Sequence, residues 1–313
     1  MTIVVRKPGL QTTIQSRPRV GNRHLGVPSS GPADPLSMAL ANRLVGNSAY
    51  TTALETALTG VTLKFRSSAH VAVTGAIAQC TINHGSVEQH GTIALQEGDE
   101  LAVGSAEAGV RCYVAVAGGF VADEVLGSGS TYVTAALGGH KGRALVEGDE
   151  LELNDPARSP ELLQTPAKYR VPILSAWSIR AGGSCETDTL DEPAELFASK
   201  LTVGGRCDRM GIKLDGQTFV TSAGAQMPSV PVFPGTIQCP QDGGLYIMCV
   251  DAGTTGGYPR VAKVSRMDLH ILGQLRPGNS IRFIARSDED AARELLEKHD
   301  YWRPWLSDVA DVI

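Results

Sequence analysis

The stretch Gly253-Thr254-Thr255-Gly256-Gly257-Tyr258-Pro259 is where this chain departs from scaffold composition toward that of a site. Its Thr and Tyr hydroxyls can donate and accept hydrogen bonds, and its glycines let a ligand approach the backbone closely. A Gly-rich hairpin loop with locally satisfied hydroxyls reads equally well from these residues alone. Shortly before it, Gly235-Thr236-Ile237-Gln238-Cys239-Pro240-Gln241-Asp242-Gly243 sets Gln238 in an apolar run, a placement that suits a buried polar contact with a substrate. Cys207-Asp208-Arg209-Met210-Gly211 offers a planar guanidinium fork matched to carboxylate or phosphate, or a plain surface ion pair. Ser29-Ser30-Gly31-Pro32-Ala33-Asp34 precedes a helix start whose free N–H groups either hold an anion or are capped by Asp34. Gly127-Ser128-Gly129-Ser130-Thr131-Tyr132 is a further hydroxyl-rich loop.

Several standard chemistries have no carrier. There is no GxxxxGK[ST] phosphate loop, and Gly138-Gly139-His140-Lys141-Gly142 is too short to replace one. The Rossmann fingerprint and its βαβ alternation are missing, as is the GxSxG elbow of α/β-hydrolases. The seven His never adopt metal-ligand spacing with one another or with Cys. A formal net charge of −5 argues against nucleic acid as a partner. The six scattered Cys read as reduced, mostly buried thiols, and no apolar run approaches a membrane span. A cytoplasmic protein is expected, with no membrane partner and no metal.

The elements that must position these groups are mostly strands. Thirty-five Gly, 17 Pro and only 5% aromatic residues suit many short strands and turns. Strands are predicted at Thr2–Arg6, Thr12–Ser16, Val61–Phe65, His70–Val73, Cys80–Ile82, Leu101–Val103 and Arg111–Val116. Beyond a Pro- and Ser-rich linker between Asn154 and Arg170, they resume at Val171–Leu174, Ser178–Arg180, Leu201–Val203, Val230–Phe233, Leu245–Val250, Arg260–Ser265 and Ser280–Ile284. Glu97-Gly98-Asp99-Glu100-Leu101 recurs as Glu147-Gly148-Asp149-Glu150-Leu151 and, loosely, from Arg276 to Ile281, each a tight turn feeding a strand. One helix is predicted after Asp34-Pro35, ending at Gly46, and another after Ser287, whose Asp290 completes a cap-like pair and whose apolar face is Ala291, Leu295 and Leu296. Tyr301-Trp302-Arg303-Pro304-Trp305 forms a terminal aromatic cluster expected to seal the C-terminal domain or a contact between subunits. The reading is a mainly β chain of two domains, residues 1–160 and 161–313, the second ending in a helix.

In order along the chain, these segments resemble one family. They are Gly31-Pro32-Ala33-Asp34-Pro35, Ala41 to Asn47, Leu54-Glu55-Thr56, Val73-Thr74-Gly75-Ala76, Tyr113 to Gly119 and Leu126-Gly127-Ser128 in the first half. In the second half they are Asp208-Arg209-Met210-Gly211, Gly235-Thr236-Ile237-Gln238, Thr254 to Pro259 and Asp268-Leu269. The chain is similar to the family known as KipA, allophanate hydrolase subunit 2 or the C component of 5-oxoprolinase, related to the carboxyltransferase domain of urea carboxylase. The resemblance implies two tandem cyclophilin-like β-barrel domains with a few short helices. It implies as partners the KipI-like B component of 5-oxoprolinase and an A component, and ATP with Mg shared with or supplied at the partner. Together these would convert 5-oxoproline to glutamate. From residue type, a cleft is expected in which Arg209 binds a carboxylate or phosphate, Gln238 and Tyr258 orient a carbonyl or amide, and Thr254 and Thr255 stabilise developing charge. Asp208, Gly256 and Gly257 complete the cleft, and Asp34 and Glu55 serve acid/base work or partner contacts. No biotin-carrying Met-Lys-Met motif is present, so no protein-bound biotin is expected. The alternatives are one component of a biotin-dependent carboxyltransferase for a urea-like compound and a non-catalytic regulator that binds a KipI-like inhibitor. Departures from the family pattern fall at Ala252-Gly253, Cys207 and Cys239.

Overall fold

The computed structural model describes residues 1–155, 160–222 and 227–313, so part of the expected linker, residues 156–159, lies outside the described residues. They form two compact units. One gathers Met1–Arg19, Ser30–Ile173 and Trp302–Val312, the other Val20–Ser29, Leu174–Tyr301 and Ile313.

In the first unit, β1 (Thr2–Lys7), β2 (Gln11–Gln15), β3 (Ala53–Ala57), β4 (Thr62–Phe65), β5 (Ala69–Ile82), β6 (Gly85–Val87), β7 (Ile93–Leu95), β8 (Glu100–Val116) and β9 (Glu150–Glu152) make one curled sheet. Its main path runs β2-β3-β8-β4-β1-β9, and β5 pairs with β8 off that path. Four of the short strands expected from sequence are really halves of two long ones. β5 and β8 pair from Val71↔Val116 to Ile82↔Leu101, with register shifts between Gly75 and Ile77, Ile77 and Ala78, and Ala78 and Cys80. The Gly and small polar residues that look like strand ends are absorbed as bulges, which bend a strand without ending it. Ile3, Val5, Leu63, Phe65, Val73 and Val114 fill the concave side.

Helix α1 (Pro35–Leu44) starts as predicted, with Asp34 Oδ1 accepting from Ser37 N at 3.0 Å and Pro35 in the first turn. Met38, Ala41 and Leu44 pack with Ala72 and Tyr113 of the sheet. The Gly of each recurrent turn (98, 148 and 278) sits at φ +91°, +86° and +90°, a region that only Gly enters without strain. The terminal aromatic cluster packs in this first unit rather than sealing the C-terminal domain: Trp305 stacks on Tyr169 at 6.1 Å and Trp302 lies 5.6 Å from the same ring.

The second unit is a closed barrel. Its strands are β10 (Ala176–Gly183), β11 (Leu201–Cys207), β12 (Gly211–Asp215), β14 (Thr236–Gln238), β15 (Leu245–Met248), β17 (Arg260–Val264) and β18 (Ser280–Ala285), in the order β10-β17-β14-β15-β12-β11-β18. β10 pairs antiparallel with β17 and parallel with β18, which closes the ring. Two short strands, β13 (Val230–Pro231) and β16 (Thr255–Gly256), pair with each other outside the barrel. Ile179, Ile212, Ile237, Ile247, Val261 and Phe283 form the interior. A short helix, α2 (Pro193–Ala198), precedes β11. Helix α3 (Asp288–Trp302) is capped by Ser287 Oγ, which accepts from Asp290 N at 3.1 Å. Leu296, expected on its apolar face, is 64% exposed. No strand forms over residues 171–174, where one was expected. A one-turn helix, α4 (Val309–Val312), ends the chain.

Candidate functional site

A pocket of about 710 Å³ in the second unit is lined by Gln238, Tyr246, Asp242, Thr255, Gly257 and Tyr258, with Gly256 between the last three. Gln238 ends β14, where the register against β17 shifts between Ile237 and Gln238. Ile237 fills the barrel interior while the shift delivers the Gln238 carboxamide to the pocket wall. There Gln238 Nε2 donates to the carbonyl of Tyr258 at 3.2 Å. Gly256 makes this approach possible, because a Cβ at that position would stand 2.6 Å from Gln238 Nε2.

The loop that carries the hydroxyls is a short ladder. Pro231 pairs with Thr255 and Val230 with Gly256, and Val232 N donates to the Thr254 carbonyl at 3.1 Å. Arg260 anchors it from below: its Nε and Nη2 donate to Glu186 at 2.8 and 2.6 Å, and its Nη1 donates to the Pro231 carbonyl at 3.3 Å. The Arg260 guanidinium holds the Glu186 carboxyl below its usual range. Tyr258 is 50% exposed and Thr255 is exposed, and both line the open pocket.

Asp208, Arg209 and Thr254 do not line this pocket. Asp208 Oδ1 accepts from Met210 N at 2.7 Å and from Gly211 N at 3.0 Å, fixing the β11–β12 turn. Arg209 is buried and pairs with Asp251, not with its sequence neighbour: Nε–Oδ2 is 2.6 Å and Nη2–Oδ1 3.1 Å. The backbone repeats the link, since Asp251 N donates to the Arg209 carbonyl at 2.8 Å. Its fork is therefore engaged in holding the stretch that leads into Gly253–Pro259.

Asp34 and Glu55 lie in the first unit, whereas the pocket residues lie in the second. Glu55 Oε2 accepts from Ala33 N at 2.8 Å and from the Tyr113 hydroxyl at 2.7 Å, and Oε1 lies 3.2 Å from Arg111 Nε. The Tyr113 hydroxyl in turn accepts from Asp34 N at 2.8 Å. All four side chains are buried. Burial first, then the charges of Glu55 and Asp34, raises the Tyr113 hydroxyl well above its ordinary pKa, so it remains a donor.

Two chemistries can be weighed against the pocket. Cys239 beside it is fully buried, and burial, aided by the charge of Asp242, pushes its thiol up to about 11, which makes it a poor nucleophile. No Lys or Arg is among the described residues that line the pocket, and Asp242 adds negative charge, so the pocket does not fit a polyphosphate. Beside the Tyr246 hydroxyl and the Asp242 carboxylate, it offers hydrogen bonding from the Gln238 carboxamide and the Thr255 and Tyr258 hydroxyls. Sequence reasoning found these but missed Asp251, Glu186 and Tyr113, which lie 42, 74 and 58 residues from their ion-pair or hydrogen-bond partners.

A curled sheet and a closed barrel with a polar pocket at its loops define a two-unit β protein. Residues 25–285 match the carboxyltransferase domain family, subdomains A and B, and the chain belongs to that family. It is 33% identical to the C component of 5-oxoprolinase from Haemophilus influenzae, covering 96% of both chains. It is 34% identical to the urea amidolyase of Lachancea kluyveri over 95% of this chain, but spans only 17% of that protein's length. The K. lactis urea amidolyase structure superposes with a TM-score of 0.91 at 32% identity, over 96% of this chain and 20% of that one.

Proposed function

We propose that this chain acts as the C component of an ATP-dependent 5-oxoprolinase complex, in which 5-oxoproline, ATP and water give glutamate, ADP and phosphate. The observation that carries this reading is the match to the Haemophilus influenzae 5-oxoprolinase component over 96% of both chains. The partners are a KipI-like B component and an A component, and the complex is cytoplasmic. The pocket supports the lactam group of that substrate: the Tyr258 and Thr255 hydroxyls bond the lactam carbonyl and N–H, Gln238 fixes Tyr258 through its carbonyl, and the substrate's carboxylate lies toward the open mouth, away from Asp242. Hydroxyls aimed at a carbonyl oxygen stabilise the charge that develops there when the amide is activated. Arg209 is a positioning residue acting through Asp251, and Thr254 positions the loop through its carbonyl. With no cation among the described residues that line the pocket, ATP and its Mg are placed at the partner protein in this proposal, and no step here runs through them.

The likeness to urea amidolyase favours one rival, a carboxyltransferase for a urea-like compound that works with a separate biotin protein. The test is reconstitution of the three components with and without this chain, following glutamate formation and ATP turnover. Loss of both on omission is expected, and unchanged rates would overturn the reading. Carboxybiotin-dependent consumption of urea or guanidine would establish the rival.

A further inference from the structure

The first unit holds a second cavity, of about 590 Å³, beside the bulged stretch of β5. Three register shifts within a few residues leave backbone groups of β5 without ladder partners. Gln89 takes them up: its Oε1 accepts from Ala78 N at 3.2 Å and its Nε2 donates to the Ala76 carbonyl at 2.9 Å. The opening is thus built and satisfied, not a packing fault.

Next to Gln89, His90 lines the cavity in a left-handed conformation, φ +65°, that costs a β-carbon residue energy unless it is held there. Its backbone holds it, with His90 N donating to the Val73 carbonyl and Thr165 N donating to the His90 carbonyl, both at 2.8 Å. The residue is only 9% exposed, and its Nδ1 is buried without a partner. Burial, reinforced by the charge of Arg170, pushes the imidazole down to about 4, so it is neutral near pH 7. A buried lone pair without a partner costs less than a buried N–H, which puts the proton on Nε2. Arg170, exposed and tethered through Nε to the Thr165 carbonyl at 3.2 Å, lines the same cavity. So do the carboxylates of Glu107 and of Glu88, whose Oε2 accepts from Gln164 Nε2 at 3.3 Å, while Ile77 and Val171 supply an apolar wall.

We infer that this cavity is a binding site for a free α-amino acid with an aliphatic side chain. The carboxylate meets Arg170 and the Nε2–H of His90, the ammonium meets Glu88, and the side chain covers Ile77 and Val171. A simple anion would gain from Arg170 and His90 but meet the charges of Glu88 and Glu107, and a simple cation would meet Arg170, whereas a zwitterion uses both signs. The site stands independently of the function proposed for the second unit.

The experiment is calorimetric titration of L-leucine into the full chain. Saturable binding is expected, with L-leucinamide and N-acetyl-L-leucine weaker by about tenfold or more through loss of a charge-assisted contact, and L-glutamate weaker by as much because its side-chain carboxylate meets the apolar wall and the Glu88 and Glu107 charges. His90→Gly, which suits the left-handed backbone, and the surface change Arg170→Ala should each weaken leucine by about tenfold while thermal unfolding stays near wild type. Absence of saturable binding, equal affinity in both variants, or L-glutamate binding as well as L-leucine would overturn the assignment.

Discussion

The Glu55 network of the first unit and the Gln238 pocket of the second use similar residue types to opposite ends. In the first, a carboxylate, a Tyr hydroxyl, an Arg and a helix cap satisfy one another out of reach of solvent. In the second, a carboxamide is tied to backbone while Thr255 and half-exposed Tyr258 line an open cavity. Polar groups that end on each other stabilise and specify a fold. Polar groups left facing a cavity are available to a ligand. The difference lies in where the partners sit, not in the residue types.

That contrast makes measurable demands. Glu55→Ala leaves Arg111 and the Tyr113 hydroxyl buried without their carboxylate, and should cost the most, about 4 kcal/mol in chemical denaturation. Arg209→Ala strands Asp251 in the same way at the base of the pocket loop, so a loss of about 3 kcal/mol is expected together with loss of activity in the reconstituted complex. For Gly256→Ala, the added methyl meets the Gln238 amide at 2.6 Å. Its stability cost should be about 1–2 kcal/mol, read from the thermal midpoint. Tyr258→Phe should leave stability within about 0.5 kcal/mol of wild type. Its effect belongs in turnover, expected to fall by about tenfold or more through loss of one hydrogen bond to the carbonyl. A Tyr258→Phe variant as unstable as Glu55→Ala, or fully active, would erase the distinction between the two regions.

How much of this is legible in the sequence follows from how local each feature is. The Asp34 cap and the Ser287–Asp290 cap are readable because helix starts are fixed by residues three apart. The three recurrent turns are readable because a Gly at positive φ is a local demand. The long strands β5 and β8 are not, since their bulges depend on what the partner strand offers at each step. Sequence sets Arg209 beside Asp208, yet its partner is Asp251, brought in by the β12–β15 pairing.

By itself, the sequence determined that the chain is mainly β, and which hydroxyls and which carboxamide could meet a substrate, because alternation, turn chemistry and residue type are local properties. Only the tertiary structure decided which of those groups remain open. Whether Arg209, Glu55 or Tyr258 faces solvent or a counter-charge depends on residues dozens of positions away. The low dielectric of a packed interior turns that placement into either a structural tie or a site.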